Sequence, residues 1–245
     1  MVMQPKIEVK RAGERFITET GWLQGRHSFS FNNHYDPFNT HHGLLLVNND
    51  DIIEPRTGFD THPHRDMEIV TWVLEGELEH KDTLGNRDII YPGLAQRMSA
   101  GRGIWHSEKN PSAEQRTRLV QMWVLPDTES IDPGYEQLDI ASALAKGGLV
   151  PIASGRNEHA AIRIRQQGAV LWGGKLRPGE AVAVPDSAYA HLYVAGGEAA
   201  LEGAGLLGEG DAARLTAAGS PMLTAGPQGA EVLIWETARL PRTRG

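Results

Sequence analysis

The sequence predicts an all-β protein of sandwich or barrel type, built in two halves. Three observations carry that expectation. Glycine (28 residues) and proline (14 residues) cut the 245-residue chain into short segments. The stretches between them are rich in β-branched and aromatic residues, the pattern of many short strands joined by tight turns. Helical periodicity is scarce. A faint internal repeat also relates the halves: strand, tight turn, strand, turn, strand reads around Gly76 and Pro92-Gly93, and again around Gly197 and Glu209-Gly210-Asp211.

In chain order the expected strands cover residues 43–47, 68–74, 118–124, 161–164, 181–184, 191–194 and 231–235. One helix is expected over residues 139–146, where Asp139 can cap the start and Gly147-Gly148 ends it. It falls where the halves would join. The resulting division is a domain of residues 1–136, a linker with a short helix over 137–150, and a second domain of residues 151–245.

A hydrophobic share of 40% and a charged share of 22% place the chain among soluble globular proteins. The net charge of −7 argues against coating nucleic acid directly, and Arg239, Arg242 and Arg244 read as a solvated tail. Cysteine is absent, which excludes disulfides, thiolate metal sites and cysteine nucleophiles and fits a cytoplasmic chain. The opening stretch carries Lys6, Lys10, Arg11 and Glu14 without an apolar core, so no signal peptide is expected. No apolar run reaches the roughly 18 residues of a membrane span.

The chemistry concentrates in two short pairs, His62-Pro-His64 and His106-Ser-Glu108. Residues i and i+2 of a strand share a face. Each pair can aim two donors into one cavity, and two such strands side by side supply four. Three imidazoles and one carboxylate suit a single divalent transition metal. Glu68 has the strand parity of His62 and His64 and rivals Glu108 for the fourth position. The other histidines (27, 34, 41, 42, 80, 159 and 191) read as ordinary hydrogen-bonded residues, and Trp105 and Trp123 as core aromatics. No His-x-His stands near Pro185 and no His or Glu pair near residues 221–226, so the second copy is expected to lack a metal site.

The segment from His62 to Glu68 followed by Gly76 resembles the first cupin motif, and the segment from Pro92-Gly93 to Glu108 the second. His-Pro-His-Arg65, Val70-Thr-Trp-Val-Leu-Glu-Gly76, Asp82-Thr-Leu-Gly-Asn86, Gly101-Arg-Gly-Ile104 and His106-Ser-Glu108 together resemble the pirin family. So do Arg26-His-Ser-Phe-Ser-Phe31, Tyr35-Asp-Pro37 and Gln121-Met-Trp-Val-Leu-Pro126, so that most of residues 20–136 is covered. The resemblance implies a bicupin: two cupin β-sandwich barrels of jelly-roll type, with one metal in the first. It assigns His62, His64, His106 and Glu108 as ligands and leaves Glu68 as a partner for Arg65 or the strand edge. Fe(II) is the first expectation, with Cu, Ni, Mn, Co and Zn as alternatives. The implied activity is that of a quercetin 2,3-dioxygenase, which opens a flavonol or related aromatic enediol with O2 and releases carbon monoxide. Glu108 is then also the catalytic base. The alternative is a redox-responsive regulatory protein that acts through a protein partner; a third reading is a cupin isomerase or hydrolase. The pirin-like N-terminal segment gives His27 and Phe29 extra weight near the metal barrel. Departures from the family pattern are Asp66-Met67 in place of Gly-Phe, Trp72 in place of Tyr, and Gly93-Leu-Ala-Gln96 in place of Gly-Asp-x-Gln.

Overall fold

The structure, a computed structural model, describes residues 3–156 and 159–240. Three antiparallel-dominated sheets contain nearly all of it. A seven-stranded sheet runs in the order Gly134–Asp139, Leu94–Ser99, Glu68–Glu75, Thr117–Val124, Leu45–Ile53, Leu23–His27 and Phe16–Glu19. It faces a four-stranded sheet ordered Gly58–His64, Ile104–Lys109, Leu78–Asp82 and Arg87–Ile90. In the C-terminal half all strands connect into one nine-stranded sheet. Its strands Tyr189–Leu201 and Met222–Thr237 are long enough to pass through both layers, and their register slips between Val194 and Gly196 and between Gly197 and Ala199. Such slips bend a strand and let one sheet fold over on itself.

Strand alternation sorts the side chains into three apolar layers. On Glu68–Glu75, the residues Val70 and Trp72 point outward and pack with Val120 and Met122 against Leu171, Tyr193 and Trp235 of the C-terminal half. Each such buried side chain is worth roughly 1.5–3 kcal/mol relative to exposure. Ile69, Thr71 and Val73 point the other way, into the N-terminal sandwich. The interior of the C-terminal half is one continuous apolar cluster that includes Leu192, Val194, Leu215, Val232 and Ile234. The interior of the N-terminal half is not continuous. Ile53, Val73, Leu78 and Leu119 fill one end and Ile69, Met98 and Ile104 the other. Polar side chains occupy the space between.

The bicupin expectation holds. The turns that the sequence pairs across the halves are alike: Gly76 (φ 74°) and Gly197 (φ 71°) both take left-handed backbone. A Cβ there would lie 2.6 Å from the Arg116 carbonyl oxygen in one half and 2.3 Å from that of Gly229 in the other. Only glycine fits such a position. The short helix is present but trimmed to Ala141–Leu144, with the Ala141 N–H donating to Asp139 Oδ1 at 2.9 Å. Other elements differ more. The first strand, Lys6–Lys10, pairs with Ala212–Thr216 of the C-terminal sheet, and the expected boundary at 136 falls inside the strand Gly134–Asp139. Residues 43–47 contribute only the start of Leu45–Ile53, and 161–164 reduces to Ile162–Arg163. The C-terminal strands outrun their apolar cores because Gly and Ala continue them. Among the described residues no helix is long and apolar enough to cross a membrane. Arg242 and Arg244 lie outside the described residues.

Candidate metal centre and its cavity

His62 and His64 close the strand Gly58–His64, and His106 and Glu108 stand on its neighbour Ile104–Lys109, with His106 directly opposite His62. One residue separates His106 from Glu108 while two separate their partners, so the first strand carries one extra residue between Phe59 and His62. This bulge brings the Asp60 carbonyl under the His62 ring, where it accepts the Nδ1 hydrogen at 2.7 Å. The bond fixes the His62 tautomer and leaves Nε2 with a free lone pair.

The three imidazoles converge. Ring centroids of His62 and His106 are 4.5 Å apart, those of His64 and His106 4.9 Å, and those of His62 and His64 4.8 Å. Burial first, then His106 and His62, hold the His64 pKa down to about 4. Burial, then His62 and His80, hold that of His106 at about 3. Both rings are therefore neutral donors at neutral pH. The Nε2 atoms of His62 and His106 are 3.1 Å apart, and His106 Nδ1 is buried without a partner. Two nitrogens about 2.1 Å from one ion and at right angles to each other are about 3.0 Å apart. The donor set thus fits a divalent transition metal in both chemistry and spacing.

Glu108 is buried beside them. Gln121 Nε2 donates to its Oε2 at 2.8 Å, and Thr71 Oγ1 to its Oε1 at 3.4 Å. Its carboxylate comes within metal-sharing reach of His106 and His80, and His62, His64 and His106 form a second such triplet. Glu68 goes elsewhere. Asp66 adopts left-handed backbone (φ 48°) and ends the first strand, so strand parity does not carry from His64 to Glu68. Glu68 shares the outward face of Val70 and Trp72, and it accepts hydrogen bonds from Ser99 Oγ (2.8 Å) and the Arg165 N–H (2.9 Å). Arg65 pairs instead with Asp66 and Ser130. The Asp at 66 also explains one departure from the family pattern. An aspartate tolerates left-handed backbone better than most residues, and its carboxylate is anchored by the Ser130 N–H and Arg65.

The site opens into a cavity of about 230 Å3 whose walls include Phe31, Phe59, Trp123, His27, Asn49 and Asp51. Trp123 stands edge-on to His64 with centroids 5.0 Å apart, and its Nε1 donates to Gln121 Oε1 at 3.1 Å. It is a cavity wall, not the core aromatic expected. Trp105 is half exposed on the outer face. His27 lines the cavity, as its extra weight implied, while Phe29 packs between the halves. A row of polar side chains crosses the sheet floor in register: His27, Asn49, Gln121, Thr71 and Gln96. His27 Nδ1, Asn49 Oδ1 and Asp51 Oδ1 are buried there without partners.

His80 was expected to be ordinary, and the structure places it at the site. It lies directly opposite Glu108, as Asp82 lies opposite His106. His80 Nε2 and Asp82 Oδ2 are 3.1 Å apart, and the His80 and His106 rings are 5.3 Å apart. The sequence signal was available: His80-Lys-Asp82 has the same two-residue spacing as the other pairs.

Comparison with known proteins agrees with this geometry. The Pirin family model matches residues 9–124. A Mycobacterium tuberculosis protein, named provisionally as a quercetin 2,3-dioxygenase, is 56% identical over 235 residues, which is 96% of each chain. The quercetin 2,3-dioxygenase of Escherichia coli is 50% identical over 131 residues, 54% of this chain and 57% of that one. The crystal structure of the bacterial pirin YhhW from Escherichia coli in complex with nickel(II) superimposes with a TM-score of 0.88 at 34% identity, covering 96% of this chain and 100% of that one.

Proposed function

The chain belongs to the pirin family of the cupin fold, and on that footing we propose that it is a metal-dependent oxygenase of the quercetin 2,3-dioxygenase type. The proposed ligands are His62, His64, His106 and Glu108, with Fe(II) favoured and Ni, Cu, Mn, Co and Zn as alternatives. The observation that carries the reading is the convergence of three imidazoles beside a buried carboxylate, with His62, His64 and Glu108 lining a cavity with aromatic walls.

A divalent metal held there supplies Lewis acidity, which lowers the pKa of a coordinated hydroxyl. The chain's own groups do the rest. Glu108 takes the hydroxyl proton, and Gln121 and Thr71 hold its carboxylate in place to do so. The Asp60 carbonyl keeps His62 from rotating away. Phe31, Phe59 and Trp123 exclude water and meet the flat faces of an aromatic substrate. The unpartnered atoms of His27, Asn49 and Asp51 face hydroxyls remote from the reacting carbons. Loss of the proton makes the enediol electron-rich. O2 then adds to it, the ring opens, and one ring carbon leaves as carbon monoxide. The cavity is smaller than the roughly 300–1,000 Å3 of ordinary ligand pockets, so the reacting ring sits inside and further rings of a flavonol lie at the mouth.

The test is turnover of quercetin by metal-analysed protein, in air and under argon. Loss of flavonol absorbance in air alone, with carbon monoxide released, supports the proposal. Protein that retains its metal yet leaves quercetin and smaller aromatic enediols intact favours the regulatory alternative.

A further inference from the structure

A second cavity, of about 480 Å3, lies between the N-terminal segment and the C-terminal sheet. His27 forms part of the wall of both cavities, but none of the proposed metal ligands lines this one. Its buried floor carries two guanidinium groups and an imidazole. Arg15, His191 and Arg214 are 7%, 1% and 9% exposed. Glu8, Arg214 and His191 stand opposite one another on three adjacent strands.

The two guanidinium groups are held only by neutral acceptors. Arg214 Nη2 donates to the Ser28 carbonyl and to Asn39 Oδ1, both at 2.7 Å, and its carbon lies 4.5 Å from the centre of the Phe29 ring. Arg15 donates to Tyr193 Oη at 3.0 Å and to the Arg26 and Asn48 carbonyls at 2.7 and 3.2 Å. Nε of each arginine has no partner, nor does either ring nitrogen of His191. The carboxylates nearby have hydrogen-bonded partners of their own: Asp50, which Tyr193 links to Arg15, is bound by Arg118. Glu8 is paired with Lys6 and Lys10, Glu14 accepts the Arg11 N–H, and Asp36 the Phe38 N–H. A guanidinium buried with no carboxylate hydrogen-bonded to it is poorly compensated, and two of them line this cavity. A planar guanidinium is also the side chain best matched to an oxyanion.

We propose that the cavity between the two halves binds a small oxyanion, a carboxylate or a phosphate, held by Arg214 and Arg15 with His191 as a third donor. The bound anion joins the N-terminal segment to the C-terminal sheet and couples its occupancy to the wall that His27 shares with the metal cavity. The proposal does not depend on the oxygenase reading.

The experiment is calorimetric titration of the metal-loaded protein with inorganic phosphate and, separately, acetate, at ionic strength matched with chloride. Saturable binding of one of them above the chloride background is expected, and the one that binds identifies the anion class. Arg214→Gln keeps a donor for the Ser28 carbonyl but removes the charge, and should weaken binding at least tenfold. Arg214→Lys should retain part of it. His62→Ala, at the metal site, should leave binding unchanged. Absence of saturable binding to the parent protein overturns the proposal whatever the variants do. So does equal affinity in a folded Arg214→Gln, or loss of binding in His62→Ala, which would place the anion on the metal.

Discussion

Gln121→Met tests whether the polar floor of the N-terminal sandwich exists to aim Glu108. Gln121 is buried and bridges two groups: its Nε2 donates to Glu108 Oε2 at 2.8 Å, and its Oε1 accepts from Trp123 Nε1 at 3.1 Å. Methionine matches its length and volume but neither donates nor accepts strongly. After the change Glu108 keeps only the 3.4 Å contact from Thr71. A hydrogen bond to a charged group is worth roughly 1.5–3 kcal/mol, and loss of a partner that orients a metal ligand lowers affinity or activity by roughly 10- to 100-fold. The two figures agree. Metal affinity, measured by competition with a chromophoric chelator, should fall by about that factor. The melting temperature of the metal-free protein should fall as well, because Glu108 Oε2 and Trp123 Nε1 lose these partners, so metal affinity is compared at a temperature where both proteins are folded. Trp123→Phe removes the donor to Gln121 and part of the cavity wall but leaves the Gln121–Glu108 bond in place, and should lower metal affinity less than Gln121→Met does. Unchanged metal affinity in a folded Gln121→Met would show that Glu108 needs no such support, and the assignment of the polar row to the site would be wrong.

Three further outcomes are expected. Glu108→Gln should retain some metal, measured by elemental analysis, but lose flavonol turnover, since an amide cannot take the hydroxyl proton; undiminished turnover would remove Glu108 from that role. Asp50→Asn breaks the paired contacts from Arg118, at 3.1 and 2.8 Å, and should cost about 3–5 kcal/mol at neutral pH, or about 6–20 °C in melting temperature. Burial pushes the Asp50 carboxyl up, but Arg118, with Tyr193 and Arg15, more than reverses this and leaves it below the ordinary 3.8. A carboxyl lowered on folding stabilises above its unfolded value and loses that contribution as pH falls through the folded one. The gap between parent and Asp50→Asn should therefore hold from neutrality down to about the ordinary carboxyl value, shrink as pH falls from there towards the lowered folded value, and be gone below it; a gap that closes near neutrality contradicts the argument. Gly197→Ala forces a Cβ to within 2.3 Å of the Gly229 carbonyl in left-handed backbone, and should cost at least about 1–3 kcal/mol by denaturant titration while metal content stays as in the parent.

How much was legible in the sequence depended on the range of the interaction. The pairs at 62, 64 and at 106, 108 were readable because two-residue spacing fixes a face wherever the strand is regular. The same rule misassigned the parity of Glu68. A left-handed residue at Asp66 breaks the strand, and an aspartate there does not announce this as a glycine would. His80 was readable in principle from its spacing to Asp82 but has no ligand pattern of its own. Gln121, Thr71, Asn49 and Gln96 stand where inward alternation asks for apolar residues, and that breach was a usable signal. What could not be read is pairing over long separations. Lys6–Lys10 joins a strand more than two hundred residues later in the chain, and nothing in five residues of alternating charge specifies the partner.

The interior of each half shows how one fold can serve two ends. In the C-terminal barrel, inward positions on the long strands are Leu192, Val194, Val232 and Ile234, and the apolar cluster runs unbroken from end to end. In the N-terminal barrel the apolar clusters retreat to the two ends. The middle is given to three imidazoles, Glu108 and a registered row of amide and hydroxyl groups. Several of those atoms are buried without partners, and each costs about 1–3 kcal/mol when left so. Such a barrel is poorly placed to stabilise itself. Its outward face, however, carries Val70, Trp72, Val120 and Met122, which close against the other half. That seam is pinned by polar contacts: Trp72 Nε1 to Glu231 at 2.9 Å, Arg97 to the Arg163 carbonyl at 2.7 Å, and the Arg165 N–H to Glu68 at 2.9 Å. The second barrel is therefore more than a relic of duplication. Its apolar interior and the shared seam offset the cost of a polar cavity in the first, so a lesion deep in the C-terminal half should reach the site through stability and leave the ligand geometry itself intact.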